Sequence, residues 1–570
     1  MRRTAAIGWS AGLLLLVAGC GSDSRKSNGA PSDVANLSSP GLDLSGGNAS
    51  GPGGAGGAGG GFTSRSDRAF AVSSEPAPAP PGSSTVVNHV ADLDSDQVFS
   101  GTTEISGNLP SAGSGTRSIT VTGGDLIVSG SIQRTDPAAG FSLSASGGIH
   151  VTGSIQTSGG AVTIRAGSVD VRGTIQTNGA GGVSDVDGAG GGAAGAISIE
   201  ATGDVVLAGA VRFRGGRAWT SGAGAIGGEG GTLTIRGSTI GMSGSLDGRG
   251  GNASAAAGGT GVRGGRGGKI ALTAASITVG TGRFMSGGGD GDQAGGSGGT
   301  FEVLAFMDGI HLDGTFSAEG GSSATAGGAG GKFKAECDVG GGDLRSGATV
   351  NASGGAGGSG GAGGRIELAA WFDPSQSSAG AGGSILLDAP SALTADGGSS
   401  TDAAPAGKGG TIHLEIPEAR VSISGMIAAR GGAAHGSGAG GLGGFVWVAS
   451  DANANALGGD IVVETGATLD ASGGASASGA GGDAQWSATP NMFDPEVIPV
   501  AVLLDGDSVF GGPNPGGLIQ NNGTVVARGA KAGGHGGDVY FHGKSAASRE
   551  PERGDVQNDG ESGSGVFTSD

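Results

Sequence analysis

The pentapeptide GGSGG occurs at 295–299 and again at 357–361, matching the G-x-S-x-G elbow that presents a nucleophile at Ser297 and Ser359. Such an elbow needs a strand-to-helix turn, with a histidine and a carboxylate positioned beside the serine. With 134 glycines in 570 residues, this match arises from composition, and no 3.6-residue pattern surrounds either serine. The run ADLDSDQ spaces Asp92, Asp94 and Asp96 like the start of a calcium loop. Its sixth position is Gln97 and its twelfth Thr103, where that loop requires glycine and glutamate. GKS at 543–545 ends like a phosphate-binding loop, but the glycine needed five positions earlier is Asp538. SGGGDGDQ, around 287, fits neither register of the calcium-binding nonapeptide. The seven histidines form no close pair with a third ligand nearby, so no zinc site is expected, and His535 and His542 read as surface residues. No catalytic residue, metal site or cofactor is expected.

Composition narrows the function further. Fifty acidic residues against 31 basic ones give a net charge of −19, with no basic block to neutralise phosphates, so nucleic acid is excluded as a partner. β-Helix enzymes that cleave acidic polysaccharides need clustered acids with Lys or Arg on one outer face; along this chain acids and bases are scattered. Sugar platforms favour aromatic faces, yet there are one Tyr and five Trp, and Trp447 and Trp486 read as core or edge packing.

One residue does carry chemistry. MRRTAAIGWSAGLLLLVAGC has Arg2 and Arg3, an apolar run through Leu13–Val17, and small residues just before Cys20, the layout of a secretory signal over 1–20. Its ending, Leu16-Val17-Ala18-Gly19-Cys20, resembles the lipobox of bacterial lipoproteins. The resemblance implies cleavage before Cys20 and acylation of that residue, so the membrane is a partner through an N-terminal lipid. Gly21 stands where an inner-membrane retention signal has Asp, which implies the outer membrane. Cys337 is the one other cysteine, so no internal disulfide forms. Residues 21–96, with GGNASGPGGAGGAGGG and SSEPAPAPPGSS, read as a flexible tether, and 544–570 as a disordered tail.

Between these lies a repeat. GSIQRT, GSIQTS and GTIQTN begin at Gly130, Gly153 and Gly173. They belong to a first kind of segment that returns as GSLDGRGG at 244 and GTFSAEGG at 314. A second kind alternates apolar and polar residues after a glycine pair, as in GAVTIRA at 160, GTFEVLA at 299 and GTIHLEI at 410. A third, such as GSVDVRG at 167, precedes the next first-kind segment. Apolar residues at every second position are the period of a strand with one buried face. His150, His311 and His413 each stand between two apolar residues and should point outward.

Three short strands per repeat, turned by glycine, predict an all-β, single-stranded parallel β-helix of about twelve coils over 97–543. Ile132, Ile155 and Ile175 should stack inside, while Gln133, Gln156 and Gln176 should form an outer amide ladder. From about residue 178 the period lengthens by Gly-rich excursions at one corner, between first and second strands. The short excursions are uniform enough to suggest an ordered layer of extended polyglycine strands. Because TSGGA at 157–161 closes the same corner, the excursions should nevertheless be dispensable for the ladder.

The architecture resembles the β-helix domains of bacterial surface adhesins and the pectin-lyase-like superfamily. The expected function is a non-enzymatic envelope lipoprotein with a structural or adhesive role, contacting a surface glycan or another surface protein. The alternatives are a polysaccharide-active β-helix enzyme and a disordered Gly-rich surface polymer.

Overall fold

A five-residue alternating strand cannot cover its own apolar face, so the face is buried only when coils stack. The computed structural model shows this stack. It describes most of residues 88–557; outside the description lie everything before 88 and after 557 and several internal stretches, the longest being 185–189, 371–382, 452–459, 485–499, 506–518, 531–537 and 543–554. Cys20, nearly all of the tether and most of the tail are therefore not described.

The described residues are all β, with no helix. The first strands form a 14-stranded sheet running from Asn108–Ser111 to Asp555–Gln557. Fourteen rungs exceed the expected twelve because both ends continue the stack with weakly patterned words, NLPS and DVQ. Asp555–Gln557 falls within the segment read as a disordered tail and pairs with Thr524–Val526. At the other end Asn88–His89, in the segment read as tether, pairs with Thr103–Glu104. Second and third strands form one 26-stranded sheet. They join because two coils run both strands together without a break, as Lys269–Val279 and Thr300–Leu312.

The register places Ile132, Ile155 and Ile175 side by side, each fully buried. Gln133, Gln156 and Gln176 also align, but they do not form an amide ladder. The described amide hydrogen bond is local, from Gln133 Nε2 to Ser131 Oγ at 3.4 Å. A short side chain on the same strand outcompetes the neighbour one coil away. The glycine corner is tight: Ser154 N–H donates to the Gly130 carbonyl at 2.9 Å, and a Cβ on Gly153 would strike that same oxygen. Farther along, the core turns aromatic, with Phe284 stacked on Phe316 at 4.8 Å, one coil spacing.

The excursions are an ordered second body. In the excursion at 213–231, Ala218–Thr220 is the middle strand of a small three-stranded parallel sheet with Gly182–Ser184 and Ala253–Ala255, and Ile226 bridges to Gly190 and Arg263. In the glycine stretches of the two legs the amides are used with a period of three. Gly227 and Gly230 donate to Arg263 and Arg266 on the next returning leg, at 2.9 Å each. Gly228 and Gly231 donate to Gly216 and Phe213 on the outgoing leg, at 2.8 and 2.9 Å. Three residues per turn without internal hydrogen bonds is the signature of polyproline II, whose amides are free to bond sideways. The zigzag continues leg after leg, from Gly192 donating to Ala180 to Gly482 donating to Gly474. A Cβ on Gly228 would collide with the Gly192 carbonyl oxygen and lie 2.7 Å from the Gly216 amide nitrogen. The excursions thus form the ordered layer expected for them: Gly179, Gly191 and Gly192, all within 178–195, bond to neighbouring legs, so shortening this excursion would remove bonds that its neighbours share.

Two paired substitutions test this arrangement in urea unfolding of the purified protein. Ile155→Asp should cost several kcal/mol through burial of an unpaired charge. Thr163→Asp, on an outward position between Ser142 and Ser198, should cost less than about 0.5 kcal/mol. Gly228→Val should lower stability by about 1–3 kcal/mol or more through overpacking, while exposed Glu229→Ala should change it by less than about 0.5 kcal/mol. Equal effects within either pair would refute the corresponding ladder.

Candidate functional site

In a strand every second side chain points outward, and in a stack of parallel strands those side chains form columns. On six successive coils one outer column of the second strands reads Ala271, Glu302, Lys334, Glu367, His413 and Trp447. A column on one side holds Lys269, Thr300, Lys332, Arg365 and Thr411, and one on the other side Glu336 and Glu415. Acids and bases that are scattered along the chain are thus gathered on one outer face. The signal lay in the repeat words: aligned on their leading glycine, GTFEVLA, GKFKAEC, GRIELAA and GTIHLEI put Glu302, Lys334, Glu367 and His413 at one position.

The face is laced by ion pairs. Lys269 Nζ lies 2.6 Å from Glu302, Lys334 Nζ 2.5 Å from Glu336, and Lys332 Nζ 2.8 Å from Glu367, which also pairs with Arg365. Most of these groups are well exposed, and such pairs contribute little stability singly. Glu367 differs, with only 13% of its side chain exposed. Burial alone would raise its carboxyl, but the Lys332 hydrogen bond and the charges of Arg365, Lys332 and Lys334 outweigh that and hold it below the usual carboxylate range. Burial would likewise lower Lys334, yet the Glu336 hydrogen bond and the surrounding carboxylates raise it.

His413 and Trp447 follow in the column, whose register continues to Leu503 and Tyr540. Their rings stack at 4.0 Å with planes 5° apart, and the imidazole is 13% exposed. Trp447 therefore lies on the outer face rather than in the core. Trp486 lies outside the described residues. Burial drives the His413 pKa down to about 4; the Glu367 charge opposes this and the Arg365 charge assists it. Its Nε2 is 3.4 Å from the Glu415 carboxylate but makes no hydrogen bond. His150 and His311 do point outward, each beside an aspartate, Asp170 at 4.0 Å and Asp313 at 3.1 Å.

The other motif residues are placed plainly. Ser297 sits in a returning glycine leg, where its carbonyl accepts from Gly267 N–H at 2.9 Å; no helix follows it. Ser359 lies in the equivalent leg two coils on, donating its amide to the Thr325 carbonyl. Asp92 and Asp94 lie outside the described residues, and Asp96 accepts from Ser118 N–H at 2.8 Å. Among the described residues no cluster of His, Cys, Asp or Glu is suited to a metal ion. Cys337 packs inward between Ala305 and Ala370, and burial pushes its thiol up to about 12, so it acts as a small apolar residue. Comparison of the chain with protein-family models, curated proteins and solved structures finds no match.

His413 generates a pH dependence. Its folded pKa of about 4 lies below the ordinary histidine value of 6.5, so between these values the unfolded chain binds a proton that the folded one refuses. The stability contributed is fully present above pH 6.5 and is lost as pH falls toward 4, by roughly 3 kcal/mol at 1.36 kcal/mol per unit. His413→Phe keeps a ring against Trp447 and removes the titration. Its urea midpoint should fall less between pH 6.5 and 4.5 than that of the parent, with the carboxylate contribution common to both. Identical slopes would show that His413 is not held neutral.

Proposed function

We propose that the protein is a lipid-anchored rod of the bacterial cell envelope, held through Cys20 and serving a non-enzymatic structural or adhesive role. The observation that carries this reading is the continuous stack of coils joined to an equally continuous glycine layer. Such a stack stiffens an extended body and repeats the same outward positions along it, which suits contact with a long surface ligand or with neighbouring rods. The lipobox-like Leu16–Cys20 segment supports the anchor, and Gly21 supports the outer membrane.

The charged face favours a second reading, a polysaccharide-active enzyme, because acids and bases do gather on one outer side. Its protonation states speak for binding instead. A glycoside hydrolase needs a carboxyl raised to act as proton donor beside an ionised partner. Glu367 is held ionised by its cations, and His413 is held neutral and far from the operating range of a general acid.

Three measurements test the proposal together. Cys20→Ala should abolish incorporation of labelled palmitate and release the protein from the membrane fraction. Protease added to intact cells should degrade the parent protein. Deleting the gene should reduce attachment of cells to a surface or to one another. Unchanged acylation in Cys20→Ala would remove the anchor. Complete protection from protease would remove the surface role. Release of new reducing ends or unsaturated products from a polysaccharide by the purified protein would establish the enzyme reading.

A further inference from the structure

Where the returning glycine legs pass into the second strands, a groove of about 400 Å³ runs along the stack. Its floor is made of glycine pairs, Gly298–Gly299, Gly330–Gly331, Gly363–Gly364 and Gly409–Gly410, so no side chain fills it. Its walls carry Arg266, Lys332, Arg365 and Lys408, interleaved with the hydroxyls of Thr300 and Thr411. No carboxylate and no aromatic ring lines it. Arg266 and Lys408 stand at its two ends. The hydrogen bonds Gly267 to Ser297, Gly298 to Ala329, Gly330 to Ala362 and Gly363 to Lys408 show that four coil steps separate them. At one strand spacing per step the groove covers roughly 19 Å of axis.

We infer that this groove binds a linear acidic polysaccharide, a polymer of hydroxylated sugars bearing carboxylates, laid parallel to the stack. The inference rests on the adhesive reading and names its ligand class and its site. Four cations, two of which share the single Glu367 carboxylate, are gathered in a cleft of a chain whose net charge is −19, and clefts focus such fields toward counter-charged ligands. Arginine and lysine suit carboxylates, arginine in a forked geometry. Threonine hydroxyls between the cations suit a ligand with hydroxyls between its charges. Nucleic acid fits less well. A single strand needs aromatic platforms for its bases, which the groove lacks.

The test uses the purified full-length chain, with polygalacturonate as probe, its fully methyl-esterified form as the neutral control, and oligo-dT as the nucleic-acid control. Binding of polygalacturonate should weaken as salt rises from roughly 50 to 200 mM, and the esterified polymer should not bind. Arg266→Gln/Lys408→Gln should weaken binding by about tenfold or more without moving the melting temperature, since both residues lie outside the core. Arg165→Gln, on an exposed pair with Glu200 elsewhere on the stack, should bind like the parent. Should the double variant lose folding, Arg266→Gln and Lys408→Gln measured singly carry the same expectation at smaller size. No binding to polygalacturonate, equal binding to the ester, tighter binding to oligo-dT, or an unchanged affinity in the variants would each overturn the inference. The adhesive reading is judged separately. Cells that attach equally well with the double variant refute the groove alone. Cells whose protein is wholly protected from protease refute the surface role, whatever the purified protein binds.

Discussion

The hydrogen bond from one coil's amide to the next coil's carbonyl sets the whole molecule. It fixes a single spacing along the stack, and every other feature must share it. The β-coils meet it through ordinary parallel ladders, as in Val162–Ala166 beside Ile197–Ala201. The excursions meet it through glycine legs in two tiers. Each tier bonds to its own counterpart one coil on, as Gly215 does to Arg249 and Gly227 to Arg263. The tiers bond to each other through Gly228 to Gly216 and Gly251 to Gly228. A side chain at any of these contacts would thicken the layer relative to the coils. The mismatch would add up coil by coil, because both bodies belong to one covalent chain. The glycine content is therefore a consequence of packing two kinds of backbone at one repeat distance, and low-complexity composition here encodes order.

The same spacing explains the charged face. Side chains in a parallel column sit about 4.8 Å apart, close enough for strong repulsion between like charges. The column from Glu302 through Lys334 to Glu367 alternates sign, and the flanking Lys269, Lys332 and Arg365 supply further cations. Where alternation stops, at His413, the next residue is Trp447, and the imidazole is driven neutral under its ring. Exposed charge, buried carboxylate and neutral histidine are thus successive solutions to one problem, placing polar groups at fixed close intervals.

Alternation made the fold legible, because a period of two assigns inside and outside without any knowledge of neighbours. Ile132, Ile155 and Ile175 could be stacked from their words alone. Features that depend on which residue of one coil faces which residue of the next were harder to read. The Gln133 amide prefers Ser131 of its own strand, a choice set by side-chain length rather than by pattern. The merging of second and third strands in Lys269–Val279 depends on the missing glycine between KIALTA and ASITV. The charged face was hidden by sequence distance: Lys334 and Glu367 are far apart in the chain and adjacent in register. The use of glycine amides in the excursions was hidden for a different reason, since glycine has no side chain to display a period.

The corner from which the excursions leave shows how layer and coils are coupled. The residue that closes the first strand, its last residue in the early coils and the one after it from Thr177 on, changes character along the stack. In the early coils it is polar and closes a short corner. Arg134 bonds to Ser111 Oγ and to the carbonyls of Gly113 and Gly115, and Thr157 Oγ donates to the Gly160 carbonyl. At Thr177 the closing changes, for its carbonyl now accepts from Gly195 N–H at 2.8 Å, at the far end of an excursion. From there the same backbone clamp recurs, with Gly231 on Phe213, Gly331 on Ala318, Gly364 on Ala352 and Gly410 on Ala395. Once the clamp is made by backbone, the side chain is no longer needed to close the corner, and Ala318, Ala352, Ala395, Ala429 and Ala471 fill the column. Each excursion is pinched at its base by a bond that does not depend on its length. Variation in length is therefore confined beyond the pinch, while the glycine pairs at the base, which floor the cationic groove, keep the spacing of the coils.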